Sequence, residues 1–158
     1  MAAGSTYTPI ATQTLGSAAS TVTFSSIPST YTDLVLVMTG YLTGAGAVYC
    51  QFNGDTASNY SSTFLQGQAS AGSGIDTACY IFGYLSSGSQ NTGISHIMNY
   101  ANTTIYKTYV ARANDTNTVN ANVGLWRSTA AINSIALKTS ANNFVVGSTF
   151  TLYGIAAA

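Results

Sequence analysis

The stretch STFTLY at residues 148–153 alternates polar and apolar side chains, and this pattern decides the fold class. Strict alternation places apolar groups on one face of a β-strand and polar groups on the other. A period of two also appears at residues 21–25, at 119–123 and, with one irregular step, at 132–137. A short continuous apolar run at residues 34–38 predicts a central strand that is covered on both faces. The sequence therefore predicts an all-β protein.

Turn-forming residues separate the predicted strands and define the domain. Further candidate strands lie at residues 48–52, 78–82, 94–100 and 104–113. Predicted turns and loops lie at residues 27–30, 40–46, 53–55, 69–74, 86–93 and 114–117. About nine short strands at near-regular spacing are typical of a sandwich or barrel. We predict a jelly-roll-like antiparallel β-sandwich that forms a single domain over residues 10–158. Residues 1–9 are small and polar, and they predict a short N-terminal arm that is ordered only against a partner.

The chain is unusually poor in charge. Only 5% of its 158 residues are charged, against about 25% in an average globular protein. Four cations and four Asp residues give a net charge of zero, and Glu is absent. Four scattered cations cannot form the basic face that nucleic-acid binding requires, so we expect no nucleic-acid partner. A hydrophobic content of 46% excludes intrinsic disorder. A surface with so little self-repulsion indicates a protein that works in an assembly.

Membrane insertion and a disulfide framework are not expected. The longest apolar run, residues 34–38, is far shorter than the ~20 residues that cross a bilayer. Residues 1–4 lack the basic and apolar regions of a signal peptide. The two cysteines, Cys50 and Cys79, could pair, but they are too few for a disulfide framework. In a reducing cytoplasm we expect two free, mostly buried thiols.

Catalytic and metal-binding patterns are weak. The lone histidine, His96, predicts a partly buried imidazole with a hydrogen-bond partner rather than a catalytic base. A zinc site built from Cys50, Cys79 and His96 lacks the usual ligand spacing. Asn53-Gly54-Asp55-Thr56 lacks the later acidic ligands of a calcium loop and is better explained as a turn. We expect no enzyme activity, no cofactor and no metal.

Aromatic residues provide the candidate interface positions. Eleven tyrosines in a chain rich in Asn and Ser suit carbohydrate stacking or a hydrated protein interface, although Tyr also favours strands in general. Trp126 and Arg127 are residue types that often dominate binding energy. An equally good interpretation of Trp126 is a core residue whose indole N–H is satisfied locally. The interface candidates are Tyr7, Tyr100, Trp126 and Arg127.

Five segments in order along the chain resemble small β-rich virion structural proteins of tailed phages, many of which infect cyanobacteria or other aquatic bacteria. The matching segments are residues 24–37 (FSSIPSTYTDLVLV), 52–60 (FNGDTASNY), 96–104 (HIMNYANTT), 124–135 and 147–155. The likeness covers nearly the whole chain. Similar segments occur in free-standing capsid cement (decoration) proteins and in tail-fibre domains.

This resemblance implies a jelly-roll module, usually a homotrimer, without enzymatic activity. It implies a capsid cement protein that is located in the virion and assembled in the host cytoplasm. Its partners would be copies of itself and the major capsid protein of the same phage. The alternative is a receptor-binding head domain of a tail fibre or tail tip that recognises glycan on the host surface.

Overall fold

All regular structure in the part of the chain that is described is β-strand. The computed structural model describes residues 6–67, 70–116 and 118–156. No helix among these residues is long and apolar enough to cross a membrane. The strands in chain order are β1 (Tyr7–Thr14), β2 (Thr21–Phe24), β3 (Asp33–Gly40), β4 (Gly46–Phe52), β5 (Tyr60–Gln66), β6 (Ser70–Asp76), β7 (Cys79–Leu85), β8 (Asn91–Met98), β9 (Lys107–Asn114), β10 (Val119–Trp126), β11 (Ile135–Thr139) and β12 (Thr149–Ile155).

The strands form two antiparallel sheets of very different width. The large sheet has the order β1-β12-β3-β8-β9-β10-β5-β6, and the small sheet has the order β2-β11-β4-β7. The fold is a jelly-roll-like antiparallel β-sandwich, as the sequence predicts. The small sheet covers one face of the large sheet, and β7 packs across β8, β9, β10 and β5. The opposite face of the large sheet, which we call the outer face, is covered by no element of the described chain.

The core lies between the sheets and follows the alternation in the sequence. In β12, Phe150 and Leu152 are fully buried, while Thr149 and Thr151 point outward. Strand β3 contributes Leu34, Leu36 and Met38 to the core, and β4 and β7 contribute Val48, Phe52, Ile81 and Phe82. Each fully buried side chain of this size stabilises the fold by about 1.5–3 kcal/mol. The central position predicted for the 34–38 run is confirmed, because β3 lies between β12 and β8.

Three strands were absent from the predicted set. Strand β5 is rich in Ser and Thr, and β1 overlaps the predicted arm. Strand β6 occupies most of residues 69–74, which were predicted to form a loop because of their Ser and Gly content. Backbone pairing explains this difference, because β6 is an edge strand that takes its register from β5. Local composition cannot show pairing of this kind.

The predicted arm is described only in part. Residues 1–5 lie outside the described residues, and residues 7–9 begin β1. This strand pairs with β12, so that Tyr7 is opposite Ile155 and Pro9 is opposite Tyr153. An edge strand suits Pro9, since proline has no N–H to donate to a neighbouring strand.

The two cysteines are neighbours in the core. Cys50 on β4 and Cys79 on β7 are directly opposite each other, and both are buried and free. Burial raises the pKa of the Cys79 thiol well above its ordinary value. The prediction of two free, buried thiols is therefore confirmed. Neither sulfur is accessible to a ligand on the surface of the single chain.

Candidate functional site

The outer face of the large sheet displays the alternate residues of eight strands. Strand β9 shows the pattern clearly, because Lys107, Tyr109, Ala111 and Ala113 are buried, whereas Thr108, Val110, Arg112 and Asn114 are exposed. The strand register aligns the outward residues in rows that cross the sheet. Two neighbouring rows read Val35–His96–Val110–Val123–Thr63 and Val37–Ile94–Arg112–Ala121–Leu65.

Exposed apolar side chains concentrate on this face. Ten large hydrophobic residues are exposed in the described part of the chain, and six of them project from the outer face. These six are Tyr7, Leu65, Ile75, Val110, Val119 and Val123. Single exposed apolar residues are ordinary, but their concentration on one face is typical of an interaction surface.

Strand β10 is responsible for much of this patch because its polar side chains point inward. Asn120 and Asn122 are buried in the core, while Val119 and Val123 are 60% and 54% exposed. The Asn122 side chain donates to the carbonyl of Ile81 at 3.2 Å, and Asn120 donates to the carbonyl of Tyr84 at 3.5 Å. Both acceptors belong to β7, so the two amides connect the sheets and hold the valines outward.

Few charges interrupt the outer face. Among the described residues it carries Asp33, Arg112 and the titratable His96. His96 Nε2 lies 2.9 Å from Asp33 Oδ2, and Asp33 Oδ1 accepts the backbone N–H of Asn99 at 2.7 Å. The predicted partly buried histidine with a hydrogen-bond partner is confirmed. The Arg112 guanidinium makes no hydrogen bond or ion pair within the described chain.

A shallow groove of about 450 Å³ crosses the outer face. It is lined by Tyr7, Val35, Ile94, His96, Val110 and Arg112. Near this groove, the two side chains that could act as an acid or a base are His96 and Asp33. The neighbouring Ser95 is fully buried on the core side of β8, so its hydroxyl cannot join them as a nucleophile. Within residues 6–67, 70–116 and 118–156, no group of three or more His, Cys or Asp side chains could hold a metal ion.

Trp126 is a core residue, the second of the two interpretations left open by the sequence. It is 2% exposed, its ring packs against Phe52 and Tyr60, and its Nε1 donates to Asp55 Oδ2 at 2.7 Å. Arg127 follows it and is half-buried, and it donates to the carbonyls of Ser58 and Tyr60. These residues hold the loop between β4 and β5 against the end of β10.

Asp55 is the centre of this loop. Besides Trp126, its carboxylate accepts the Asn59 side chain at 2.9 Å and the backbone N–H of Ala57 at 2.9 Å. Burial alone would raise the pKa of Asp55, but these hydrogen bonds outweigh it and hold the pKa below its ordinary value. The residues that faintly resemble a calcium loop thus form a turn whose acidic group is already satisfied.

The four predicted interface residues do not lie together. Tyr100 is fully buried, and its hydroxyl donates to the carbonyl of Pro28, so its ring is not available at the surface of the single chain. Tyr7 is 51% exposed on the outer face and packs edge-on against Tyr153 at 6.2 Å. Of the four predicted interface residues, Tyr7 is therefore the one that lies on the outer face. Five further residues of the outer face are not among those that the sequence predicts: Leu65, Ile75, Val110, Arg112 and Val123.

A second surface feature, the aromatic cleft, lies beside the β5–β6 hairpin. It has a volume of about 330 Å³ and is lined by Tyr49, Phe64, Tyr80 and Asp76, together with Ile75 and small residues. The Tyr80 ring lies 5.4 Å from that of Tyr49 and 5.2 Å from that of Phe64. Asp76 Oδ1 accepts the backbone N–H and the hydroxyl of Thr77. Burial, followed by the nearby charge of Asp76, raises the pKa of Tyr49.

Comparison with known proteins gives only distant likenesses. No protein-family model matches the sequence, and no curated protein matches it. Among solved structures, a tetrameric galectin from the ball sponge Cinachyrella sp. is 10% identical, with 85% of this chain and 99% of that chain covered and a TM-score of 0.41. The alginate lyase Aly36B is 9% identical, with 91% and 77% covered and a TM-score of 0.35. An exo-inulinase from Aspergillus awamori is 12% identical, with 94% and 29% covered and a TM-score of 0.36. Likenesses of this size carry no information about the activity of this chain.

Substitution of Asp55 tests the loop that holds Trp126. Asp55→Asn removes the charge that accepts three hydrogen bonds, so we expect the free energy of unfolding at pH 7 to fall by about 1–3 kcal/mol. Because the pKa of Asp55 is lowered in the folded state, its stabilisation is complete above the unfolded value of about 4 and is lost as the pH falls through the folded value. Urea unfolding should show that the difference between the two proteins is full at pH 7 and shrinks below about pH 4.

The control for this experiment is Asp76→Asn, because within the described chain the Asp76 carboxylate accepts hydrogen bonds only from the adjacent Thr77. We expect little change in stability at any pH for this variant. Equal losses for both variants, or a difference that does not depend on pH, would contradict the role assigned to Asp55.

Proposed function

We propose that this chain is a structural protein of a phage virion, most simply a capsid cement protein. The observation that carries the proposal is the outer face, where a wide and nearly uncharged sheet displays six large apolar side chains. Such a surface suits lasting contact with other proteins rather than the turnover of a small substrate. The resemblance of five sequence segments to virion proteins of tailed phages supplies the biological setting.

The mechanism under this proposal is passive. Each copy joins neighbouring shell subunits and adds buried area to the contacts between them. A protein that binds the assembled shell but not its free subunits stabilises the shell by mass action. The partners are the major capsid protein and further copies of the chain in a homotrimer, and the location is the virion, assembled in the host cytoplasm.

The side chains at the surface fit a protein that works without catalysis. The described groove brings together one acid–base pair, His96 and Asp33, and the Asp33 carboxylate is already bound by the backbone of Asn99. General acid–base chemistry needs a positioned acid and a positioned base that can both reach a substrate. The residues around this pair are mainly Val35, Ile94 and Val110, which offer packing rather than chemistry.

A sedimentation experiment tests the cement proposal. Purified protein is mixed with mature shells of the phage that encodes it, and with the free capsid subunit as the control. We expect the protein to co-sediment with the shells in hundreds of copies per particle and to ignore the free subunit. Absence from purified virions, or no binding to mature shells, would reject the proposal, and a few tens of copies or fewer would indicate the tail.

The second candidate function is a receptor-binding head of a tail fibre or tail tip that recognises host glycan. The aromatic cleft favours it, because Tyr49, Phe64 and Tyr80 can stack on sugar rings and the Asp76 carboxylate can accept hydroxyl groups.

Glycan-array binding tests this second function. We expect the wild type to bind particular host glycans if it is a receptor-binding head, and Tyr80→Ala to lose about 10-fold or more in affinity. The matched control is Tyr84→Ala, which removes an exposed tyrosine of the same strand outside the cleft. Lack of binding to any host glycan, or equal effects of the two variants, would count against it.

A further inference from the structure

We propose that the outer face is the surface through which copies of this chain bind one another. The inference rests on the proposed function, since it assigns a surface to the self-association that the proposal includes. The occupant is another copy of the chain, and the central residues are Val110 and Val123, with Leu65, Ile75 and Arg112 around them.

The first reason for this proposal is the orientation of β10, whose polar side chains point into the core. In a single chain exposed to water, two valines outside and two asparagines inside reverse the arrangement that burial favours. The inward amides are only partly satisfied, because the Asn122 oxygen has no hydrogen-bond partner within the described chain. Exposing these valines to water destabilises the single chain, so an assembly that covers Val119 and Val123 is more stable.

The size of the face is the second reason. Eight strands spaced about 4.8 Å apart span about 38 Å, and strands of this length extend about 25 Å, so the face offers about 900 Å². A stable interface of standard size uses about 800 Å² on each partner. The outer face is therefore large enough to support a lasting complex.

Charge favours a copy of the same chain as the partner. Arg112 is unpaired in the described chain and is flanked across the sheet by Ile94 and Ala121, so its burial requires a carboxylate from the partner. The outer face of another copy provides a carboxylate in Asp33, whose two oxygens keep lone pairs beyond those that contact His96 and the backbone of Asn99. The charges of Asp33 and Arg112 cancel. A strongly positive partner would place like charge against Arg112, and a strongly negative partner would place like charge against Asp33.

Light scattering after size exclusion tests the inference. The wild type should be an oligomer at about 10 µM, whereas Val123→Glu should weaken self-association about 30-fold or more, the effect of losing one hot-spot residue. Arg112→Glu, on a different strand, should have a similar effect. The matched control is Val146→Glu, which places the same side chain at a residue that is 63% exposed in a loop outside the outer face, and it should remain an oligomer. Far-UV circular dichroism and urea unfolding should show that all three variants fold.

The outcomes separate this inference from the cement proposal. A wild type that is monomeric at about 100 µM, or a Val123→Glu protein that associates like the wild type, would overturn the assignment of the outer face. A monomeric protein that still binds shells would leave the cement proposal standing without this inference. An oligomer that Val123→Glu dissociates, but that binds no shells, would support the inference and reject the cement function.

Discussion

Two buried side-chain amides help to determine which side chains are exposed on the outer face. Asn120 and Asn122 reach across the sandwich to the backbone of β7, and these bonds act together with the burial of Trp126, which lies on the same side of β10. This orientation points Val119 and Val123 outward, beside Val110 of β9. Hydrophobic burial holds the rest of the sandwich together, but it does not by itself explain why two asparagines of this strand face the core. The outer face and its proposed role both depend on this inward placement of polar groups.

The ends of the sandwich are built differently from its outer face. At the end of β10, the Asp55 carboxylate gathers the indole of Trp126, the amide of Asn59 and a backbone N–H into one turn. Charged and aromatic groups that often dominate binding energy are used here to hold a loop. The outer face instead carries mainly small aliphatic and hydroxyl side chains on a wide sheet. Such a surface suits a component of a large assembly, where many modest contacts add together.

The sequence predicts the fold class, the central position of residues 34–38, the two buried thiols and the hydrogen-bonded His96. These features depend on local patterns, and the period of two is the strongest of them. The orientation of an alternating strand is different. The pattern of residues 119–123 is compatible with either face inward, and the acceptors on β7 and the burial of Trp126 decide it. Strand β6 also depends on pairing with β5, which its Ser and Gly residues cannot indicate. Trp126 shows the same limit, since its partner Asp55 lies 71 positions away in the chain.

We propose that the protein works by association through a nearly uncharged face. Sedimentation equilibrium of the wild type from about 0.05 to about 1 M NaCl measures it directly, because added salt weakens contacts between exposed charges and leaves apolar contacts intact. We expect the association constant to stay unchanged or to rise modestly as salt is added. A constant that falls steeply with salt, or a protein that remains a monomer throughout, would contradict it.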